Sequence, residues 1–270
     1  MEPTPYPEVN EVLDAILAGI QAELRAKLIG LYAFGSLVTG DFNPARSDLD
    51  LAAVMTEDLN EDEFARLLQM HGELARTYAK WDDRIEVGYI AAANLRAFDP
   101  KCSIAVISPG EPFHFRAAEY GWLFNLDVLR KQGLVLYGPS PETLIGAISK
   151  EDLDHGLKDL MQLWREWTED PDPHLSHSQQ AYPIMTMCRA LRTYRTGDFV
   201  SKNEAVRWGA EELPVWSKLI RDSVRWREEP NGDYGNPADS YLETLAFTRF
   251  VTDLILTDFV EPPKLHTMPR

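Results

Sequence analysis

Gly35 and Ser36, then eleven residues, then Asp48-Leu49-Asp50 make the segment of this 270-residue chain with the clearest chemical content. Residues two apart on a strand share a face, so Asp48 and Asp50 are expected to turn both carboxylates to one side. Paired hard oxygens suit Mg²⁺, which completes its shell with water and phosphate oxygens. Gly35 lets the backbone approach a phosphate closely. The Ser36 hydroxyl and nearby N–H groups offer donors to phosphate oxygens. A third acid, Glu86, lies in RIEVGYI (Arg84 to Ile90), which alternates like a strand. Flanked by Ile85 and Val87, Glu86 is expected to face away from both. If its strand neighbours that of Asp48, Glu86 becomes a third metal ligand or the base that takes an acceptor's hydroxyl proton. Such a set promotes in-line attack on an α-phosphorus with pyrophosphate leaving. An isolated Asp-x-Asp is usually a solvated edge. That reading does not explain two acids on a strand bounded by Leu49, Leu51, Val54 and Met55.

Several elements must position these residues. Val9, Val12, Leu13, Ile16, Leu17, Ile20 and Leu24 recur at helical spacing, with Gly30 as the expected stop. LYAFG reads as a buried strand, SLVTGDFNPARS as a turn-rich connection and DLDLAAVM as a second strand. Asn60 to Lys80 has helical periodicity. Ser103 to Ser108 reads as a short strand, Ala117 to Lys131 as helix and Leu134 to Tyr137 as a strand closed by Gly138-Pro139. Beyond Pro141 only helical patterns follow: a face carrying Leu153, Leu157, Leu160, Met161 and Trp164, a second around Ile184 to Leu191, then Lys202 to Glu212, Trp216 to Trp226 and Asp239 to Asp258. The tail, EPPKLHTMPR, reads as frayed. Mixed strands and helices followed by helices alone predict an α+β fold: a domain over residues 1–145 and a helical domain over 146–270.

Composition narrows the partners. The formal net charge of -16 argues against nucleic acid, whose phosphates need clustered Lys and Arg, and suits a cationic small molecule. Cys102 and Cys188, widely spaced, suggest neither a disulfide framework nor a zinc site. MEPTPYPEVNE is acidic and Pro-rich, unlike a signal peptide, and no apolar run reaches membrane-spanning length. The expected setting is cytoplasmic, and the expected state monomeric.

The segment YAFGSLVTGDFNPARSDLDLAAV resembles the signature of the polymerase-β-like nucleotidyltransferases, and more closely that of the aminoglycoside (3'') and (9) adenylyltransferases. RIEVGYI sits where that family carries its catalytic Glu. GLVLYGPSPETL resembles its last strand and turn, and MTMCRALRTYRTGDFVSKNEAVRWGAEELP its helical-domain signature. The resemblance implies an N-terminal nucleotidyltransferase domain and a C-terminal helical bundle. It implies that Ser36, Ser47 and Asp48 contact the triphosphate or its metal, that Asp48 and Asp50 hold Mg²⁺, and that Glu86 is the base. Arg189 and Lys202 would reach the phosphates, and Trp226 falls near an aromatic position that packs on adenine. At the position where streptomycin-modifying members carry an acid, this chain has Gln179 or Gln180. The implied activity is transfer of AMP from ATP to a hydroxyl of an aminoglycoside or aminocyclitol, such as spectinomycin or streptomycin. The alternative is the same chemistry on a protein or another non-antibiotic acceptor.

Overall fold

The structure is a computed structural model and describes residues 3–258. The frayed end expected from Glu261 onward lies outside them. The chain forms two compact units, residues 1–149 and 150–270.

The first unit is a mixed sheet with helices. Its order is α1 (Pro7–Leu24), β1 (Leu28–Ala33), α2 (Ser36–Thr39), β2 (Leu49–Met55), α3 (Glu61–Thr77), β3 (Ile85–Ala91), α4 (Ala92–Arg96), β4 (Ser103–Ser108), β5 (Glu111–Ala117), α5 (Gly121–Gln132) and β6 (Leu134–Tyr137). The strands lie in the order β5-β4-β3-β2-β1-β6. β2 and β3 are parallel, and the other neighbours are antiparallel. Helix α1 starts with Pro7 in its first turn, where a missing N–H costs nothing, and buries Val9, Val12, Leu13, Ile16 and Ile20 along one stripe. It stops at Leu24, before the expected Gly30. Arg25 takes φ 49°, and Gly30 belongs to β1, with the Tyr32 ring lying where a side chain at Gly30 would stand. Asn60 and Glu63 close a capping box on α3, worth about 1 kcal/mol.

The sheet's two faces differ in chemistry. Leu31 and Ala33, then Leu49, Leu51, Ala53 and Met55, then Ile85, Val87 and Tyr89 join one core with the stripes of α1 and α3. Because side chains alternate, Asp50 and Glu86 point to the opposite face. There the Trp122 indole of α5 lies over Gly88 and 6.1 Å from the ring of Phe34.

Three elements differ from the sequence expectation, one of them α4, a short helix in a stretch where none was expected. Residues 36–39 form a short helix inside the stretch read as turns, and Glu111–Ala117 is a strand whose last residue was read as the start of a helix. The reason for the strand is tertiary. Phe113 and Phe115 both stack on Phe64 of α3, a contact that local periodicity does not encode.

His71 on α3 is 4% exposed, and its Nε2 is 2.7 Å from the Tyr89 hydroxyl. Burial lowers its pKa from 6.5 to about 4. The unfolded chain therefore takes up a proton near pH 6.5 that the folded chain refuses until near pH 4. Stability is lost as pH falls through that window, by up to about 3 kcal/mol. Burial lowers the His177 pKa too, in the same direction, so the test compares variants. His71→Gln should flatten the fall in urea midpoint between pH 7 and pH 5. An unchanged slope would remove His71 as its cause.

The second unit is helical throughout its described residues: α6 (Lys150–Trp167), α7 (His177–Thr196), α8 (Lys202–Glu212), α9 (Ser217–Glu228) and α10 (Pro237–Asp258). Leu157, Met161, Ile184, Met187, Cys188, Leu191, Phe247, Val251 and Ile255 are buried in it. Among the described residues, no helix is long and apolar enough to cross a membrane.

Candidate active site

The acids sit where the turn after β1 meets β2 and β3. Gly35 takes φ +64°, a conformation that favours glycine, and a β-carbon there would collide with the Asp50 carboxylate. Its carbonyl accepts the N–H groups of Val38 and Thr39 at 3.2 Å each, closing the single turn of α2 that Ser36 opens. The first N–H groups of any helix lack intrahelical acceptors. The Asp50 carbonyl accepts the Phe34 N–H at 2.9 Å, tying this turn to β2.

The connection into β2 is held by its own hydrogen bonds. Ser47 is 8% exposed. Its Oγ accepts the Asn43 N–H at 2.9 Å, and its own N–H donates to the Asn43 carbonyl at 2.8 Å. Ser47 thus braces the loop, with its hydroxyl hydrogen still able to donate. Arg84, just before β3, donates to the carbonyls of Pro44 (3.2 Å) and Ser47, and its guanidinium lies 4.5 Å from the Trp81 ring. Burial lowers the Arg84 pKa and the charge of Asp48 pulls it back up. The Arg84 carbonyl accepts the Leu49 N–H at 2.9 Å. The start of β2, and so the place of Asp48, is clamped from β3.

Asp50 and Glu86 are direct partners in the parallel register, about 4.8 Å apart along the pairing direction. Glu86 is half-buried. Burial pushes its pKa up, the charge of Arg116 pulls it down, and Asp48 and Glu111 push it up again. Among the described residues, no three acids, histidines or cysteines gather closely enough to enclose a metal ion by themselves. Asp48 and Asp50 are nevertheless hard, half-buried oxygen donors. They fit Mg²⁺, which typically takes one or two carboxylates and fills its remaining positions with phosphate oxygens and water.

In the helical unit, the Arg189 guanidinium lies 4.4 Å from the Phe199 ring and the Lys202 ammonium 5.1 Å from the Tyr182 ring. Trp226 is 5% exposed and its ring packs 4.7 Å from that of His177. Gln179 closes the capping box of α7 with Ser176. Gln180 is fully buried. It donates to the carbonyls of Leu175 (3.0 Å) and Pro237 (2.9 Å) and accepts from the hydroxyls of Ser240 (2.9 Å) and Thr244 (3.0 Å). Its amide has no capacity left for a ligand. An acid there would set a carboxylate oxygen against two carbonyls.

A nucleotidyltransferase domain model matches residues 17–96, which include Gly35, Asp48, Asp50 and Glu86. A model of the aminoglycoside adenylyltransferase C-terminal domain matches residues 143–249. The two matches mark the chain as a nucleotidyltransferase similar to the aminoglycoside adenylyltransferases. The chain is 24% identical over 224 residues to an aminoglycoside (3'') (9) adenylyltransferase of Shigella flexneri, covering 77% of this chain and 80% of the relative. It is 22% identical over 210 residues to a spectinomycin 9-adenylyltransferase of Staphylococcus aureus N315, covering 74% and 77%. Its fold matches that of spectinomycin adenyltransferase AAD(9) from Enterococcus faecialis, solved with ATP and spectinomycin. The TM-score is 0.74 at 19% identity, over 91% of this chain and 98% of the other.

Arg84, whose guanidinium holds the loop before β2, escapes a reading of the sequence although a cation immediately before the Glu86 strand is a signal. Arg116 shares the face of Glu86 only because β5 joins the sheet edge, which local periodicity does not encode.

Proposed function

We propose that this adenylyltransferase transfers AMP from ATP to a hydroxyl of an aminocyclitol or aminoglycoside, with magnesium required. The observation that carries the reading is the parallel register of Asp50 and Glu86 beside the Gly35 turn. The names of the relatives and the net charge of -16, which suits a cationic acceptor, support the acceptor class.

Asp48 and Asp50 are the residues to hold Mg²⁺, which when bound neutralises and orients a triphosphate. The Gly35 turn, with the Ser36 hydroxyl, lets the backbone approach phosphate oxygens. Glu86 takes the acceptor's hydroxyl proton. The acceptor oxygen bonds to the α-phosphorus, the bond to the bridging oxygen breaks, and pyrophosphate leaves with its electrons. Arg189 and Lys202 are the phosphate-binding candidates of the helical unit.

The acceptor is tested by pyrophosphate release with ATP and Mg²⁺ against spectinomycin, streptomycin and other aminoglycosides. Release that depends on one of them identifies it. A folded, ATP-binding protein that releases none with every drug refutes the antibiotic acceptor. Gly35→Ala should cut turnover about a hundredfold, since its β-carbon displaces the Asp50 carboxylate and small misplacements at a reacting centre cost that much. Turnover equal to wild type in the folded variant would show that the close contact is not needed.

A further inference from the structure

Arg84, just before β3, holds both chain neighbours of Asp48. Its backbone carbonyl accepts the Leu49 N–H at 2.9 Å. One Nη atom of its guanidinium donates to the Ser47 carbonyl and, at 3.2 Å, to that of Pro44. The other Nη donates to the Lys80 carbonyl at 3.4 Å. The guanidinium lies 4.5 Å from the ring of Trp81, which is 3% exposed and part of the core. A buried ring thus orients the fork that reaches the loop of residues 43–47. A planar guanidinium can fix such a set of contacts, whereas a lysine ammonium on its flexible stem does not. The Arg84 Nε is buried without a hydrogen-bond partner. Leaving a buried donor unpaired is unfavourable, so stability alone does not account for an arginine here. The parallel register sets Leu49 against Ile85 and Asp50 against Glu86, which brings Arg84 level with Asp48 where the two strands begin. Mg²⁺ demands near-ideal octahedral geometry at about 2.0–2.1 Å, while Ca²⁺ accepts oxygens at about 2.3–2.6 Å in flexible arrangements. How rigidly its oxygens are held therefore decides which of the two a site prefers.

We propose that Arg84 is a positioning residue: by holding Ser47 and Leu49 it fixes the backbone of Asp48, and so makes the Asp48–Asp50 pair selective for Mg²⁺ over a larger divalent cation. This rests on the reading that the two aspartates hold the metal. Arg84 acts through Asp48 alone. Lysine in its place keeps the positive charge but not the fork on the two carbonyls, so it loosens Asp48 without changing the charge of the site. Partners that orient a metal ligand are typically worth about 10–100-fold in metal affinity.

The test measures, by calorimetry, the affinity of the full chain for a non-hydrolysable ATP analogue with Mg²⁺ and with Ca²⁺, in wild type, Arg84→Lys, Arg84→Ala and Asp50→Asn. Wild type should bind the analogue more tightly with Mg²⁺. Arg84→Lys should lose about 10–100-fold in affinity with Mg²⁺ and much less with Ca²⁺, at a melting temperature close to wild type. Its transfer rate should recover as Mg²⁺ is raised, with KM for the acceptor unchanged. A folded Arg84→Lys that keeps the wild-type ratio of the two affinities overturns the role, whether or not Arg84→Ala folds. Equal losses with both cations overturn it too, since a general loosening of the loop would produce them, and so does a wild type indifferent to the cation. If Asp50→Asn keeps the wild-type preference for Mg²⁺, the aspartates do not hold the metal and the underlying reading fails.

Discussion

Glu86→Gln should lower transfer by about 10²–10⁴, the range that a positioned general base contributes, while ATP affinity in the presence of Mg²⁺ stays near wild type. The substitution keeps the shape of the side chain and removes its ability to accept a proton. The backbone it sits on is not at risk, because β3 is held by β2 on one side and β4 on the other, and Ile85 and Val87 anchor it in the core. The check pairs rapid-quench kinetics with calorimetric ATP titration. A variant that binds ATP and transfers at the wild-type rate would show that Glu86 is not the base. One that loses ATP binding in step with transfer would make Glu86 a ligand-holding residue first.

Asp50→Asn should have an effect at least as large, by a different route. A neutral amide oxygen is a far weaker partner for a divalent cation than a carboxylate. Asp50 also occupies the one place where β2 touches both the Gly35 turn and, through the register, Glu86. Turnover should fall by about 10³ or more, as when a charge-stabilising group is removed from a transfer site. The magnesium concentration for half-maximal activity should rise. Full activity at unchanged magnesium dependence would move the metal away from Asp50. The near-isosteric side chain should leave the melting temperature almost unchanged, which separates loss of function from loss of fold.

Much of this was legible in the sequence because it is local. The Gly35 turn and the Asp48–Asp50 pair lie within sixteen consecutive residues, and alternation with Ile85 and Val87 was enough to turn Glu86 away from the core. The α+β then all-helical order followed from periodicities of two and 3.6. What stayed hidden depends on packing between distant residues. β5 exists because Phe64 stacks on two of its side chains. Gly30 belongs to a strand because Val54 of β2 pairs with it, while β6 pairs with the next residues of the same strand. The saturation of Gln180 depends on α10, which brings Ser240, Thr244 and the Pro237 carbonyl against it. None of these partners lies within a helical turn of the residue it explains.

The measurement that bears most directly on the central claim follows the α-phosphorus. Wild type and Asp50→Asn would be incubated with ATP labelled at that atom, Mg²⁺, and spectinomycin or streptomycin, and the products separated by mass and charge. The site described here predicts label covalently attached to a drug, one AMP per drug molecule, in wild type and none in Asp50→Asn. Label remaining in ATP with both drugs, from a wild-type protein shown to be folded and to bind ATP, would contradict it.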